Sequence, residues 1–559
     1  MKNKYIRKTI YSLLAASMML GSAAGCGNND IASDTSASQE ASESVESGST
    51  EAGAVESEAS EEAAGADAKN QDENELAEAD IIVGNYNNEL MLHDPHLFVG
   101  EDGGYYMYGS HCTGAKGTKL DMSDWDMLYK EPTRPSTKMF EGLFDGLDGE
   151  NLPEAFQFVG RNESNQFSVW APSVIYNKKM GKYLMYFCTS STYIKSSLCL
   201  ASSDNPEGPW KYEKVLLSSG FTKRDIDQTN FYEVMGEEGD YKDYLLAGGY
   251  NNQLFPNCID PQTFYDADGR MWMVYGSWSG GIFLLEIDEE TGDVIHPEPD
   301  ENGEVDKYFG RRLLGGGHHA MEGPYIEYVE ETGYYYLFLS YGGLARDGGY
   351  QIRILRSKNV EGPYEDAKGE KPDNTDTFSQ NGIKLVGNYD LPSIDMAYKA
   401  PGGQSTFRDA DGKLYVVYHE RFDKTQEDHE PRIHRLFTTK DGWLVMAPFQ
   451  TNGSESLSES GLTNDDICGT YYMLNHGLKI DDKVLKAEAS TFSTDGQITG
   501  SMNGTFQVEE GSNYISLDID GVKYEGVIMD MVDEAGNNVR CISAIGNNNT
   551  SIWGVHYVK

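Results

Sequence analysis

Between Ile81 and Gln450 the apolar positions fall into short, dense runs: Gly104-Tyr105-Tyr106-Met107-Tyr108-Gly109, Tyr183 to Phe187, Met271 to Tyr275, Tyr334 to Leu339 and Leu414 to Tyr418. They are too short for helices and too continuous for half-exposed strands, and their Tyr, Val, Leu and Met content fits strands buried on both faces. Further strands are expected at Ser197 to Ser202, Ile282 to Ile287 and Tyr350 to Ser357. Helical periodicity is weak throughout. Each dense run follows a Gly or Asp-Gly turn, an apolar stretch and a small motif. The motif copies are His93-Asp94-Pro95, Trp170-Ala171-Pro172, Ile259-Asp260-Pro261, Glu322-Gly323-Pro324 and Ala400-Pro401-Gly402. They recur every 60–90 residues or so, the length of a propeller blade with insertions. A strand–turn–strand unit repeated five times and closed on itself brings every copy to one axis. Asp94, Asp260 and Glu322, read as occupying matching places, are then expected to converge.

Two near-duplicates, Asn205-Pro206-Glu207-Gly208-Pro209-Trp210 and Val360-Glu361-Gly362-Pro363-Tyr364, each follow an outer strand and support an internal repeat. Residues 114–167 and 211–256 read as loop insertions at one end of the propeller, shaping a cleft. A Ser- and Asn-rich passage, Thr451 to Asp466, separates this region from a C-terminal part, residues 465–559. There apolar and polar positions alternate between turns at Thr494-Asp495-Gly496, Glu510-Gly511-Ser512 and Asp520-Gly521, as in an all-β barrel or sandwich. It carries no carboxylate cluster set in a repeat.

The N-terminus belongs to neither part. Lys2, Lys4, Arg7 and Lys8 precede an apolar run from Ile10 to Leu20 and then Ser22-Ala23-Ala24-Gly25-Cys26. That is a secretory signal peptide, residues 1–26, and the small residues before Cys26 match a lipobox that would make Cys26 a lipidated N-terminus. Residues 27–80 hold sixteen Asp or Glu, one Lys and no aromatic residue. Such a segment buries too little apolar surface to offset its ordering entropy and reads as a disordered tether.

Charge narrows the partners. The first 26 residues carry four positive charges and residues 27–80 a net −15, which leaves −34 on residues 81–559. That excess argues against nucleic acid or an anionic surface and suits a neutral substrate. Of 36 tyrosines, 34 lie beyond residue 80. Their rings suit sugar faces, although strand propensity accounts for most. Beyond Cys26 there are six cysteines, with no CxxC pair and hence no zinc signature.

The ordered motifs His-Asp-Pro (93–95), Trp-Ala-Pro-Ser-Val (170–174), Asn-Cys-Ile-Asp-Pro (257–261), Tyr-Gly-Ser-Trp-Ser-Gly-Gly-Ile (275–282), Glu-Gly-Pro-Tyr-Ile (322–326) and Tyr-His-Glu-Arg-Phe (418–422) resemble glycoside hydrolase family 43. Within it the closest resemblance is to the two-domain extracellular endo-α-1,5-L-arabinanases. It covers most of residues 84–559. It implies an all-β chain, with a five-bladed β-propeller at 81–452 followed by a small C-terminal β-barrel or sandwich. It also implies inverting hydrolysis of arabinan, with Asp94 as general base, Glu322 as general acid and Asp260 raising the pKa of the acid. His419, at the end of the second strand of the fifth repeat, matches a histidine that ligates calcium near the propeller centre. Calcium prefers oxygen, so water must fill most of that shell.

Trp170, Asn257, Ser277 and Trp278 are candidates for substrate contact; Trp170 serves a sugar face or the blade core. His318 and His319 orient a loop or line the cleft, and His93 is supporting. Asp268 and Asp411, in Asp-Gly turns, are expected to cap those turns. The fifth copy, Ala400 to Ser405, departs from the family pattern. The expected partner is the polysaccharide, with the membrane touched only through a lipid at Cys26, and the expected form is a monomeric, extracellular surface lipoprotein. The alternatives are an exo-acting α-L-arabinofuranosidase or β-xylosidase of the same family and a non-catalytic carbohydrate-binding lipoprotein.

Overall fold

A computed structural model describes residues 75–559, apart from 89, 131–132, 238 and 373–377. The signal peptide, Cys26 and most of the tether lie outside the described residues.

Residues 96–446 hold five sheets whose successive main strands pair antiparallel. The innermost strands are His96–Val99, Ser168–Asn177, Gln262–Tyr265, Met321–Val329 and Tyr398–Arg408. Each contacts the next around the ring, and the fifth contacts the first, so the five blades close a propeller. All five dense apolar runs are second strands: Tyr105–Gly109, Lys182–Ser190, Met271–Tyr275, Tyr334–Tyr341 and Leu414–Phe422. Their residues are buried almost without interruption because neighbouring blades pack on both faces, which is why they do not alternate. The two Gly-Pro duplicates follow third strands, and their Trp210 and Tyr364 are fully buried.

Two expectations change. Much of 114–129 and 210–219 is strand rather than loop: Thr113–Gly117 and Asp126–Tyr129 complete the first blade, and Trp210–Ser219 is the fourth strand of the second. Thr113-Gly114-Ala115-Lys116-Gly117 has little strand propensity; Gly117 is needed because a Cβ there would lie 2.1 Å from the Trp125 ring. The turn caps are Asp266 and Asp409, not Asp268 and Asp411. Asp266 and Asp409 accept the backbone N–H two residues on at 2.9 Å, whereas Asp268 and Asp411 face solvent. A carboxylate reaches that N–H only from the first position of the turn.

The C-terminal part is a closed eight-stranded antiparallel barrel running from Gly469–Asn475 to Ser551–Val558. Its interior is filled by Tyr471, Phe492, Phe506, Leu517, Ile528, Ile542 and their neighbours. Its outer face shares a second core with the propeller, in which Met529, Met531, Trp553 and Val555 meet Tyr389, Trp443, Leu444 and Phe449. Glu75 to Asp80, assigned to the tether by composition, instead lie on this barrel: Glu75 bridges Val558, and Leu76 donates to the Tyr557 carbonyl at 3.0 Å. Cys112, Cys188, Cys199, Cys258 and Cys541 are buried free thiols. Cys188 pairs with Leu198 and Cys199 with Phe187, so the two thiols leave opposite faces of one sheet and cannot bridge.

The fifth blade holds a fully buried ion pair, Glu420 Oε1 to Arg432 Nε at 2.9 Å. Arg432 also reaches Glu430 at 3.1 Å and the Tyr86 carbonyl at 3.0 Å, tying the N-terminal segment to the ring. Breaking a buried pair leaves an uncompensated charge. Glu420→Ala should lower the free energy of urea unfolding by about 3 kcal/mol, whereas Lys116→Ala, in an exposed pair with Glu207, should change it by about 0.5 kcal/mol or less.

Candidate active site

The entry to each innermost strand has one backbone signature. Asp94, Ala171, Asp260 and Gly323 all have positive φ, at 51°, 44°, 54° and 58°, and each is followed by proline. In the fifth blade two residues are left-handed, Ala400 at 51°, followed by Pro401, and Gly403 at 60°; Gly403 is the member beside Asp94, where a Cβ would lie 2.5 Å from Oδ1. Strand register identifies it: Gly402 pairs with His419 and Ser405 with Val417 across the same bulge that sets Trp170 opposite Cys188 and Glu322 opposite Ser340. The fifth copy is therefore Gly402-Gly403-Gln404, two residues beyond Ala400-Pro401-Gly402. The same register corrects the matching of the carboxylates. Asp94 and Asp260 are themselves the left-handed residues, whereas Glu322 precedes Gly323, one position earlier, and reaches the axis with one more methylene.

The three carboxyls face one another. Asp260 Oδ2 accepts the Gly323 N–H at 3.1 Å, and the charges of Asp94 and Asp260 or Glu322 act on one another. Around them the second strands end in Tyr-Gly-Ser twice, at 108–110 and 275–277. Ser110 donates to Asp94 Oδ2 at 2.5 Å and Ser277 to Glu322 Oε2 at 3.3 Å. Trp278 Nε1 donates to Glu322 Oε2 at 2.6 Å and the Tyr350 hydroxyl to Oε1 at 2.8 Å. Ser277 and Trp278, expected to meet substrate, thus hold Glu322. Neither Ser110 nor Tyr350 was singled out in the sequence; the repeated Tyr-Gly-Ser was the signal for the first, and nothing local marks the second.

The carboxyls titrate in opposite directions. Burial pushes Asp94 up, but His93, whose Nδ1 is 2.9 Å from Oδ2, together with His419 and Ser110, outweighs it and holds Asp94 below the ordinary carboxylate range. Burial pushes Glu322 up, against its three donors, and the charge of Asp94 adds to the rise. Asp260 is pushed well up by burial, then by Glu322 and Asp94. Two buried carboxyls cannot both ionise cheaply, so the Asp260–Glu322 pair holds a proton to higher pH than an exposed carboxyl does.

Asn257 is buried; its Nδ2 donates to the Ser277 carbonyl at 2.8 Å and its Oδ1 has no partner. Trp170 is half-buried at the axis and stacks with Tyr193, ring centroids 5.6 Å apart, while Tyr193 is 63 % exposed. His318 packs on Trp278, and the His319 N–H donates to the Trp278 carbonyl, so both histidines shape the loop that carries Trp278.

His419 is fully buried and stacks on His93 at 3.9 Å. Its Nδ1 is 3.8 Å from Asp94 Oδ1, and its Nε2 is buried without a hydrogen-bond partner. Among the described residues His93, Asp94 and His419 form a group whose ligand atoms lie within 4.8 Å of one another. Nε2 is the open nitrogen of His419 while the Asp94 carboxylate lies on the Nδ1 side of the ring, a group compatible with a calcium ion whose other ligands are water. The fifth blade also supplies room: a Cβ on Gly403 would lie 2.5 Å from Asp94 Oδ1 and 2.8 Å from His419 Nδ1.

Comparison with known proteins places this geometry. Residues 235–444 match the model of glycosyl hydrolases family 43, and residues 448–554 that of a C-terminal lipocalin-like domain. The chain is 37 % identical over 489 residues to an extracellular endo-α-(1→5)-L-arabinanase of Thermotoga petrophila, and 34 % identical over 483 residues to extracellular endo-α-(1→5)-L-arabinanase 2 of Bacillus subtilis. Each alignment covers 83 % of this chain and 93 % of the relative. The crystal structure of the Thermotoga petrophila endo-1,5-α-L-arabinanase superimposes with a TM-score of 0.70 at 34 % identity, over 85 % of this chain and 99 % of that one. A glycoside hydrolase family 43 protein, YxiA of Bacillus licheniformis, gives 0.71 at 33 % identity over the same shares.

The raised pKa of Asp260 has a thermodynamic consequence. A carboxyl raised in the folded state adds stability at low pH that is lost as pH rises through the folded value. Asp260→Asn should therefore raise the melting temperature at pH 8, and the gain should vanish near about pH 4, close to the ordinary carboxyl value. Calorimetry at the two pH values checks this; parallel curves would contradict it.

Proposed function

The chain belongs to glycosyl hydrolase family 43, and from that premise we propose that it is an endo-α-1,5-L-arabinanase that cleaves the arabinan side chains of pectin with inversion. The observation that carries the reading is the unlike surroundings of two carboxyls at one axis: His93 and Ser110 at Asp94 hold it below the ordinary carboxylate range, while burial and the charge of Asp94 raise Glu322 above it. Such a pair divides the work of base and acid.

Water activated by Asp94 attacks the anomeric carbon of an arabinofuranosyl unit. Its proton passes to Asp94 Oδ, the glycosidic C–O bond breaks, and Glu322 delivers its proton to the leaving oxygen. His93 and Ser110 orient the Asp94 carboxylate, and Trp278, Ser277 and Tyr350 fix Glu322 in one rotamer. Asp260 anchors the Gly323 amide and, by its charge, opposes early ionisation of Glu322. The Trp170 and Tyr193 rings offer flat faces to the furanose units, and the open Oδ1 of Asn257 an acceptor for a sugar hydroxyl. His419, with His93 and Asp94 beside it, would hold a calcium ion, and that charge would favour the ionised form of Asp94.

The relatives are named extracellular enzymes, in keeping with the signal peptide. Lipidation of Cys26 would retain this enzyme at the cell surface as a monomer on its acidic tether. Cys26→Ser should then release it into the medium.

Linear debranched arabinan should yield a ladder of oligosaccharides early in the digestion; arabinose alone from the outset would overturn the endo reading in favour of an exo-acting one. Glu322→Gln and Asp94→Asn should each lower kcat by about 10³-fold. Removal of calcium with EGTA should lower both kcat and the melting temperature of the wild type, and His419→Ala should abolish the response of the melting temperature to added calcium.

A further inference from the structure

The segment between the barrel strands Gly469–Asn475 and Glu488–Phe492 reaches back to the fourth blade. Four buried side chains of the propeller donate to its carbonyls: Arg353 Nη2 to Leu478 at 2.6 Å, Gln351 Nε2 to Lys479 at 3.1 Å, Lys384 Nζ to Lys479 at 3.2 Å and Asn388 Nδ2 to Asp481 at 3.4 Å. Gln351 Nε2 also donates to the Gly349 carbonyl at 3.1 Å. Gly349 has φ +72° and lies so close to the barrel segment that a Cβ there would be 2.7 Å from the Asp481 nitrogen. Backbone contact and buried hydrogen bonds therefore fix the residues on both sides of Tyr350.

Tyr350 is the residue so enclosed. It is 2 % exposed, its hydroxyl donates to Glu322 Oε1 at 2.8 Å, and its ring stacks on His419 at 5.9 Å. It fits only because Gly402 has no side chain: a Cβ there would be 2.1 Å from the Tyr350 ring. The hydroxyl is the one donor on Oε1, whereas Ser277 and Trp278 share Oε2. Tyr350 therefore decides which way the carboxyl plane turns.

We infer that Tyr350 is a positioning residue for Glu322 and that the barrel segment Leu478 to Asp481 sets its place, so that the C-terminal domain acts on the reaction through the orientation of Glu322. This rests on the reading of Glu322 as the acid. The acid must be protonated to work, so activity falls on the alkaline side as pH rises through its pKa. The charged groups facing Glu322 are Asp94 and Asp260, and neither is altered by the variants below.

Tyr350→Phe keeps the ring and removes the donor. It should lower kcat on linear arabinan about tenfold, leave KM within about twofold, and move the alkaline limb of the kcat–pH profile to higher pH, because a carboxylate that loses a donor holds its proton longer. Gly349→Ala, which displaces the barrel segment, should move the same limb in the same direction. If it does not fold, Gln351→Met, which keeps the bulk and loses the two hydrogen bonds donated to Gly349 and Lys479 along with the two accepted from Arg353, is measured in its place. An unmoved limb in Tyr350→Phe overturns the positioning role. An unmoved limb in the Gly349 or Gln351 variant, with only the melting temperature lowered, overturns the role of the barrel. Full activity of Glu322→Gln would instead overturn the acid reading itself, which keeps the two failures apart.

Discussion

Everything at the centre of this molecule follows from a left-handed backbone step found at the mouth of all five innermost strands. Asp94, Ala171 and Asp260 pay for it with a β-carbon in a region that L-residues avoid, at a cost on the order of 1 kcal/mol each, while Gly323 and Gly403 take it freely. Proline after four of the five discourages the residue before it from joining a helix. The step turns that residue and the one before it toward the axis. A ring of side chains thus meets at the centre although its members lie more than 300 positions apart in the chain.

Once the step has gathered three carboxyls, electrostatics divides their roles. Buried together, their charges repel, so they cannot all be ionised at equal cost. The asymmetry comes from their neighbours: imidazole and hydroxyl at Asp94, aromatic N–H and O–H at Glu322, a single backbone amide at Asp260. The blades without a carboxylate supply what the other three lack. The second brings the Trp170 and Tyr193 rings, and the fifth brings empty space at Gly402 and Gly403, into which Tyr350 and His419 fit.

How far the sequence discloses this depends on what each signal measures. The second strands were legible because blades bury both of their faces, so their composition alone marks them. The strand Thr113–Gly117 was not, because Gly, Ala and Lys meet its packing needs without looking like a strand. Aligning the repeats on proline placed Asp94 and Asp260 correctly and put Glu322 one residue out of step, since its blade gives the left-handed position to glycine. The fifth copy has no proline at that position, and only the register of Gly402 against His419 reveals it. Convergence of Asp94, Asp260 and Glu322 survives these errors because a side chain one methylene longer makes up the offset. Tyr350 is set by packing against Glu322, Gly402 and His419 from other strands, and Gly349 by a barrel segment more than 120 residues away; a single sequence carries no pattern for either.

The barrel bears on the chemistry through its outside. Its interior is closed by its own apolar side chains, so the space that a lipocalin-like barrel might offer a ligand is filled. Its outer strands complete a core that the propeller opens but cannot finish: Trp443, Leu444 and Tyr389 meet Trp553, Met529 and Val555. Removing the barrel would expose that surface to water and would also withdraw the carbonyls that receive Arg353 and Lys384. Arg353 would keep its acceptors on Gln351, Ser379 and Asn381, but the strand that carries it, Gln351–Ser357, which begins at the residue after Tyr350, would lose its ties to the barrel segment. The two parts therefore answer to one cooperative requirement, and the geometry around Glu322 depends on both.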